Sequence, residues 1–136
     1  MPLRDAIVFV SDCLVGFGLK KVRIIASDKI FSGFHMVKNL ALGTDFCNSA
    51  RDMMQTLGCV QSLECNTNQC PVGVATQNPT LAKGIVVTDK SECVARFQKE
   101  TDRAARDLIT SAVMDRPSQL NRTHILRRVS QIEMIQ

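Results

Sequence analysis

Residues 22–51 read VRIIASDKIFSGFHMVKNLALGTDFCNSAR, and this stretch decides the fold class. Its first part, 22–26, is a nearly continuous apolar run with β-branched residues, typical of a parallel strand buried on both faces. A helix is predicted between Gly33 and Gly43, because apolar residues recur there at helical spacing and glycine readily ends helices. A second short strand is predicted at 44–49. The order strand, helix, strand indicates an α/β fold with a parallel sheet.

Helices are also predicted on both sides of this stretch. The preceding helix is expected to end at Gly16 and Gly18, and its apolar face has three- and four-residue steps at Leu3, Ile7, Val10, Leu14 and Phe17. A later long helix is expected to start at Asp89, where Asp89 and Glu92 resemble a capping box, and its apolar side is formed by Val94, Phe97, Ala104, Leu108 and Val113. A short extended segment at 85–87 and a basic helix at 124–129 complete the prediction. A parallel sheet needs cover on both faces and more neighbouring strands, and a lone pair of strands is marginal, so the chain is expected to be part of a larger fold.

Composition excludes several classes of protein. The 136 residues are 45% hydrophobic and 22% charged, which fits one globular domain at most. The net charge of +4 is spread along a chain without Trp or Tyr, so a nucleic-acid-binding surface is not expected. No apolar run reaches the ~18 residues of a membrane span, and the opening 1–5 does not resemble a secretory signal. Six cysteines in such a chain favour a reducing compartment, the cytoplasm, and read as metal ligands rather than disulfides.

Two loops that follow the predicted strands have features of an anion site. Residues 27–33 lead into a helix at Gly33, where backbone N–H groups and the helix dipole favour a negative ligand. Residues 43–51 end in small side chains and Arg51. Loops of this kind bind phosphate after strands seven and eight of a barrel. The ordinary alternative is a pair of strand–helix turns, with Gly33 a helix boundary and Arg51 a solvated charge. Because glycine motifs are unspecific, the residues alone favour the ordinary alternative.

The segment 58–79 is a long loop with no period, and long loops in compact proteins are usually functional or disordered. Within it Cys59, Cys65 and Cys70 have the spacing C-x5-C-x4-C, and Pro71 follows the last of them. Three thiolates among amide and hydroxyl side chains can hold an iron–sulfur cluster. Two alternatives remain open: buried free thiols, and a zinc site with a fourth ligand, which the five-residue gap fits poorly. The cysteines expected to be structural are Cys13, Cys47 and Cys93.

The cysteine loop resembles that of a known family. The stretches GCVQ at 58–61 and CNTNQCPVGVATQ at 65–77 closely resemble the cluster loop of the glutamate synthase large subunit and its shorter FMN-binding relatives. The segments PLRDA at 2–6 and RRVS at 127–130 also resemble the shorter relatives, so the resemblance covers nearly the whole chain. In that family the pattern C-x5-C-x4-C-P-x-G-x-A-T-Q binds a [3Fe–4S] cluster. The resemblance therefore implies that the cluster ligands are Cys59, Cys65 and Cys70.

The same resemblance extends to the two strand-end loops. FMN barrels, including the 2-hydroxy-acid oxidases, carry D-G-G-I-x-x-G and G-A-D-x-V-x-x-G-R, and residues 27–33 and 43–51 fall at the same spacing. By that match, the residues that hold the FMN phosphate are Gly33, Ser49, Ala50 and Arg51. The chain departs from the patterns at Ser27, Asp28, Lys29 and Ala50. The carboxylate of Asp28 places a negative charge where the patterns have glycine.

The resemblance implies a C-terminal portion of a (β/α)8 TIM barrel, about its last two βα units. A complete barrel needs ~250 residues, so residues 1–136 would form a partial FMN-binding domain. Its parts are the phosphate-loop βα units (1–51), the cysteine loop (58–79), the final barrel helix (89–114) and a C-terminal extension (115–136).

The implied activity is that of glutamate synthase, an oxidoreductase acting on CH–NH2 donors that makes L-glutamate from 2-oxoglutarate and ammonia or glutamine. Electrons would come from ferredoxin or an NAD(P)H-linked subunit, and the remainder of the barrel would lie on another chain or be missing. No catalytic residue is expected within this chain. The alternatives are a non-catalytic cysteine-rich metal-binding module and a decayed remnant that needs a partner to fold.

Overall fold

The computed structural model describes residues 1–19, 21–128 and 134–135, with the backbone alone for 127–128 and 134–135. The chain divides into two compact units, the first formed by Met1–Ser49 with Asp102–Gln136 and the second by Ala50–Thr101. No helix within the described ranges combines the length and the apolar character needed to cross a membrane.

The first unit is built from helices around a small parallel sheet. Its elements up to Ser49 are α1 (Leu3–Gly16), β1 (Ile25–Ala26), α2 (Gly33–Leu42) and β2 (Phe46–Cys47). Strands β1 and β2 are parallel, with Ile25 opposite Phe46 and Ala26 opposite Cys47. The later elements are the 3-10 helices Pro117–Gln119 and Arg122–His124 and the antiparallel strands β3 (Arg127–Arg128) and β4 (Met134–Ile135).

The second unit contains two short helices and most of a long one. These are α3 (Arg51–Thr56), α4 (Pro79–Ala82) and α5 (Val87–Ser111), of which residues from 102 onward belong to the first unit. The predicted cysteine loop lies between α3 and α4, and no helix or strand occurs from residue 57 to residue 78. The sequence did not predict α3 or α4, because both are too short to show a helical period.

Helices α1 and α2 confirm the helices predicted on either side of β1. At the end of α1 the Phe17 N–H donates to the Cys13 carbonyl. Helix α2 begins after Ser32, whose Oγ accepts a hydrogen bond from the His35 N–H, and ends at Gly43 with φ of 116°. A Cβ at Gly43 would lie 2.6 Å from Ser11 Oγ, so close packing and backbone conformation both require glycine there.

The two faces of the parallel sheet differ sharply in burial. Ala26 belongs to a buried cluster with Ile7 and Ile30, against which Cys47 packs. Because successive strand residues point to opposite faces, Ile25 and Phe46 share the other face, where they are 65% and 59% exposed. In the described chain β1 is therefore buried on one face, where the sequence predicted burial on both, and each strand is two residues long. Nothing in the first unit as described covers the side chains of Ile25 and Phe46.

The later helices differ from the prediction in several places. Helix α5 begins at Val87, so Asp89 lies in its first turn and the predicted capping box is wrong. The predicted extended segment at 85–87 is also wrong, because Val87 is already helical. Its buried positions are Ala105 and Ile109, four residues apart, instead of Ala104 and Leu108, while Val113 is 94% exposed and lies beyond the helix.

The predicted basic helix at 124–129 is also wrong. A 3-10 turn at Arg122–His124 is followed by β3, and Val129 lies outside the described residues. The Arg122 guanidinium pairs with Asp12 Oδ1 at 2.7 Å. This ion pair joins α1 to the 3-10 turn within the first unit.

The Asp45 side chain, just before β2, contacts residues 23 and 24, just before β1. Asp45 accepts a hydrogen bond from the Ile24 N–H at 2.9 Å and pairs with Arg23 at 2.7 Å. The Ile24 N–H, opposed by partial burial and helped by Arg23, lowers the pKa of Asp45. Since the folded chain binds this proton less tightly, the carboxylate adds stability above the unfolded pKa of ~3.9 that is lost as the pH falls through the folded pKa. Asp45→Asn should therefore cost about 1–2 kcal/mol at pH 7 and little at pH ~2.

Urea unfolding at several pH values measures this difference. The exposed Asp28 is the matched control, and Asp28→Asn should leave the free energy of unfolding nearly unchanged at pH 7. A constant gap between the Asp45→Asn variant and the natural chain across this pH range would contradict the assignment to the carboxylate.

Candidate functional site

The loops that follow β1 and β2 lie side by side, as expected for the carboxyl ends of neighbouring parallel strands. Two hydrogen bonds join them: Ser49 Oγ donates to the Ile30 carbonyl at 2.8 Å, and Asn48 Nδ2 donates to Ser27 Oγ at 3.3 Å. All four residues belong to the first unit. The structure thus brings together the two loops that the sequence predicted as an anion site.

One residue of the first loop has a backbone conformation that favours glycine. Lys29 has φ of 45°, in the left-handed region that favours glycine, and it stands where the FMN-barrel pattern has its second glycine. Gly33 is buried and is the first residue of α2. Asp28 is exposed in the same loop. The chain path suits a phosphate, and the Asp28 carboxylate opposes one.

The four residues predicted to hold phosphate are divided between the two units. Gly33 and Ser49 belong to the first, whereas Ala50 and Arg51 belong to the second. Arg51 is exposed and begins the six-residue helix α3, and Ala50, with φ of −94° and ψ of −50°, precedes it. The phosphate site therefore stays a prediction.

The three predicted cluster cysteines lie in the second unit with different exposures. Cys70 is buried at 4% exposure, Cys59 is half-buried and Cys65 is exposed. Among the residues that the structure describes, no group of three or more His, Cys, Asp or Glu is gathered closely enough to hold a metal ion. The ligand set Cys59, Cys65 and Cys70 therefore also stays a prediction.

Backbone N–H groups that follow Cys70 affect the charge state of its thiol. Those of Ala75, Val72, Val74 and Gly73 lower the pKa of the Cys70 thiol, an effect that burial partly opposes. The thiolate is the form that binds metals, and N–H···S hydrogen bonds are typical of iron–sulfur sites. This amide cradle, defined as the N–H groups of 72–75 around Cys70, makes Cys70 suitable as a cluster ligand.

Two further features hold the cradle in shape, and the sequence did not reveal either. Gly73 has φ of 77°, and a Cβ there would fall against the Leu81 carbonyl oxygen of α4. The neck of the loop is closed between Asn68 and Gln77, where the Gln77 N–H donates to Asn68 Oδ1 at 2.6 Å. The pattern does contain the Asn, Gly and Thr residues that make such contacts. The sequence alone does not show whether an amide side chain holds the loop together or faces a cluster, because that depends on contacts in three dimensions.

The other three cysteines lie outside the cysteine loop. Cys47 packs against the core of the first unit, where burial raises the pKa of its thiol. Cys13 and Cys93 are half-buried in α1 and α5. These positions agree with the structural use expected of all three.

An open groove of about 880 Å³ lies on the first unit and is separate from the predicted site residues. Side chains of α1 and α2, the end of α5 and the segment 120–126 line it, and most of them are apolar. None of the predicted phosphate or cluster residues contributes to its lining.

Comparison with known proteins decides the family. Residues 1–115 match the conserved region in glutamate synthase. The chain belongs to the glutamate synthase family. It is 34% identical over 129 residues to the glutamate synthase large subunit-like protein YerD of Bacillus subtilis, a match that covers 94% of this chain and 25% of that protein. It is 32% identical over 113 residues to the archaeal glutamate synthase [NADPH] of Methanocaldococcus jannaschii, covering 82% of this chain and 22% of that protein.

A shorter match involves the full-size enzyme. The glutamate synthase [NADPH] large chain of Bacillus subtilis is 39% identical over 67 residues, which is 48% of this chain and 4% of that protein. The chain thus spans about a quarter, or less, of the length of these family members. No solved structure matches the chain significantly.

Proposed function

We propose that this chain supplies the [3Fe–4S] ligands and part of the FMN phosphate site of a glutamate synthase-like oxidoreductase that forms L-glutamate from 2-oxoglutarate and ammonia or glutamine. The observation that carries the proposal is the amide cradle around Cys70, which favours the thiolate that an iron–sulfur cluster needs. The proposed ligands are Cys59, Cys65 and Cys70. When bound, the cluster and the flavin supply electron transfer and hydride chemistry.

The donor set of the cysteine loop fits a cluster better than it fits zinc. Three thiols and many backbone N–H groups are available, and no histidine occurs between residues 51 and 101. Because the described residues include no group of three cysteines close enough to hold a metal, the three ligands have to move together when a cluster binds. The chain's own contribution is to orient one sulfur in advance and to surround it with hydrogen-bond donors.

The loops after β1 and β2 are the proposed FMN phosphate site. Their support is the left-handed Lys29, which preserves the glycine-like path, and the hydrogen bonds from Ser49 to Ile30 and from Asn48 to Ser27. In this proposal the first unit contributes the N-terminal end of α2 at Gly33 and the Ser49 hydroxyl to the phosphate site. The ammonium group of Lys29 can offset the charge of its neighbour Asp28 near the ligand.

The exposed sheet face supports a partial barrel. A pair of parallel strands with one packed face and one open apolar face is marginal alone, because parallel strands are normally covered on both sides. Ile25 and Phe46 occupy that open face. We propose that the rest of a (β/α)8 barrel, on another chain or on a missing segment, covers them, and that ferredoxin or an NAD(P)H-linked subunit donates electrons. The six free thiols are those expected of a protein in the cytoplasm.

Iron binding tests the ligand assignment directly. The full chain, purified without oxygen and supplied with iron and sulfide, should take up about three iron ions with broad absorbance near ~400 nm. Replacing Cys59, Cys65 or Cys70 singly with serine should remove most of this iron, because a three-ligand cluster does not tolerate loss of a thiolate. Cys93→Ser, a half-buried cysteine of α5, is the matched control and should keep it. Full iron content in Cys65→Ser would reject the ligand assignment.

A further inference from the structure

We propose that Asn68 is a positioning residue: with Thr76 it closes the loop 68–77 at its two ends and thereby holds Cys70 in its buried position before any cluster binds. The proposal's consequence for cluster binding rests on the proposed function above. The clamp itself, defined as the contacts among Asn68, Thr76 and Gln77, does not depend on it. Nothing in the spacing of the cysteines predicts it.

The clamp is made of short hydrogen bonds from both ends of the loop. Asn68 Oδ1 accepts from the Gln77 N–H at 2.6 Å, and Thr76 Oγ1 donates to the Asn68 carbonyl at 2.6 Å. Thr76 Oγ1 also accepts from the Asn78 N–H at 3.0 Å, and Asn78 in turn caps α4 through the Thr80 N–H at 2.9 Å. One connected network therefore runs from the neck of the loop to the first turn of α4.

The backbone of residue 68 explains why an asparagine stands there. Asn68 has φ of 65°, in the left-handed region that asparagine tolerates better than most residues other than glycine. Its amide side chain also reaches across the loop to Gln77. Asparagine thus meets both the backbone and the side-chain requirement at this position, whereas glycine meets only the first.

The other half of the cysteine loop, 59–67, contains a short turn in which the Thr67 N–H and Oγ1 donate to the Glu64 carbonyl, and no described hydrogen bond joins its two ends. Gln61 and Leu63 have φ of 56° and 62°, and the Leu63 side chain is 86% exposed. Cys65 is exposed, and the described contact of the Cys59 sulfur is a 3.5 Å hydrogen bond from the Gln61 N–H. The loop therefore has a fixed half that carries Cys70 and an open half that carries Cys65. Because Cys70 is held in place before binding, a cluster has to order fewer residues of the loop, which lowers the entropic cost of binding.

Alkylation of the metal-free chain tests the clamp without any cofactor. Iodoacetamide at pH ~8.5, where thiolates of ordinary cysteines are abundant, is combined with peptide mapping to give a separate rate for each cysteine. In the natural chain Cys65 should react fast and Cys70 slowly. Asn68→Ala should raise the Cys70 rate about tenfold, since loss of the clamp lets the loop open more often, and should leave the Cys65 rate unchanged.

Three further variants separate the clamp from general unfolding. Thr76→Val removes the hydroxyl at nearly constant shape and should also raise the Cys70 rate, whereas Thr76→Ser should keep it slow. Asn66→Ala, an exposed asparagine two positions before Asn68, is the matched control and should change nothing. If Asn68→Ala unfolds the chain, so that all six cysteines react fast, Thr76→Val gives the deciding result. An unchanged Cys70 rate in a folded clamp variant overturns the proposal.

Iron loading of the same variants separates this proposal from the proposed function. If the natural chain loads iron, Asn68→Ala should lose iron to a chelator about tenfold faster than Asn66→Ala. Equal loss from both variants would overturn the clamp's action on the cluster. If the natural chain binds no iron while the alkylation rates change as expected, the proposed function fails and the clamp stands.

Discussion

Replacing Gly73 with alanine should lower the free energy of unfolding by about 3 kcal/mol, the largest effect expected of a single methyl group in this chain. Two causes act together. Gly73 has φ of 77°, a conformation that costs a residue with a side chain about 1–2 kcal/mol. The added Cβ would also meet the Leu81 carbonyl oxygen and lie 3.2 Å from Ala82 Cα, which are backbone atoms that cannot rotate away. Relief requires α4 or the amide cradle to move.

Gly58 is the matched control for the first cause, the cost of the left-handed backbone conformation. It has φ of 97°, but a Cβ there would meet no atom within 4 Å, and it belongs to the same unit as Gly73. Gly58→Ala should therefore cost only the conformational part, about 1–2 kcal/mol. Urea unfolding followed by circular dichroism gives both values, and the Cys70 alkylation rate reports on the cradle. Equal costs at the two glycines would show that Gly73 does not pack on α4 as described.

The parts of the fold that the sequence predicted are those set by local chemistry. Apolar spacing predicted the helices on either side of β1, and glycine predicted the end of α2 at Gly43. The lack of any apolar period predicted the irregular loop from 57 to 78. The adjacency of the two strand-end loops follows from parallel pairing, which Ile25 and Phe46 confirm by their register. Family membership, too, was available from the cysteine spacing and the residues that follow Cys70.

The features that the sequence did not predict depend on distant contacts. Asp89 resembled a helix cap, but α5 starts at Val87, because a capping pattern marks where a helix can start and not where neighbouring packing lets it start. The Oδ1 of Asn68, one of the amide side chains after Cys65, accepts a hydrogen bond from the Gln77 N–H across the loop. Arg122 pairs with Asp12, which lies 110 positions earlier in the chain. Spacing along a chain carries no information on such pairs.

The open face of the sheet gives the second large prediction. Ile25 and Phe46 are 65% and 59% exposed, and burying their remaining apolar surface in a partner would contribute about 3 kcal/mol together. Converting both to threonine keeps the β-propensity of the strands while removing most of this apolar surface. In the chain alone, the double variant Ile25→Thr with Phe46→Thr should unfold at nearly the same urea concentration as the natural chain and should self-associate less.

Association with a barrel partner should respond in the opposite way. The partner used is the glutamate synthase large subunit-like protein of Bacillus subtilis shortened by the quarter that this chain matches. If that piece covers the open face, the double variant should bind it on the order of a hundredfold more weakly than the natural chain does. The control, Val15→Thr with Phe17→Thr, changes two more exposed apolar residues (76% and 80%) away from the strands and should bind normally. Sedimentation of mixtures measures both affinities. Equal binding by the two double variants would mean that Ile25 and Phe46 do not face the rest of a barrel, because a docked sheet face cannot lose two apolar side chains without losing affinity.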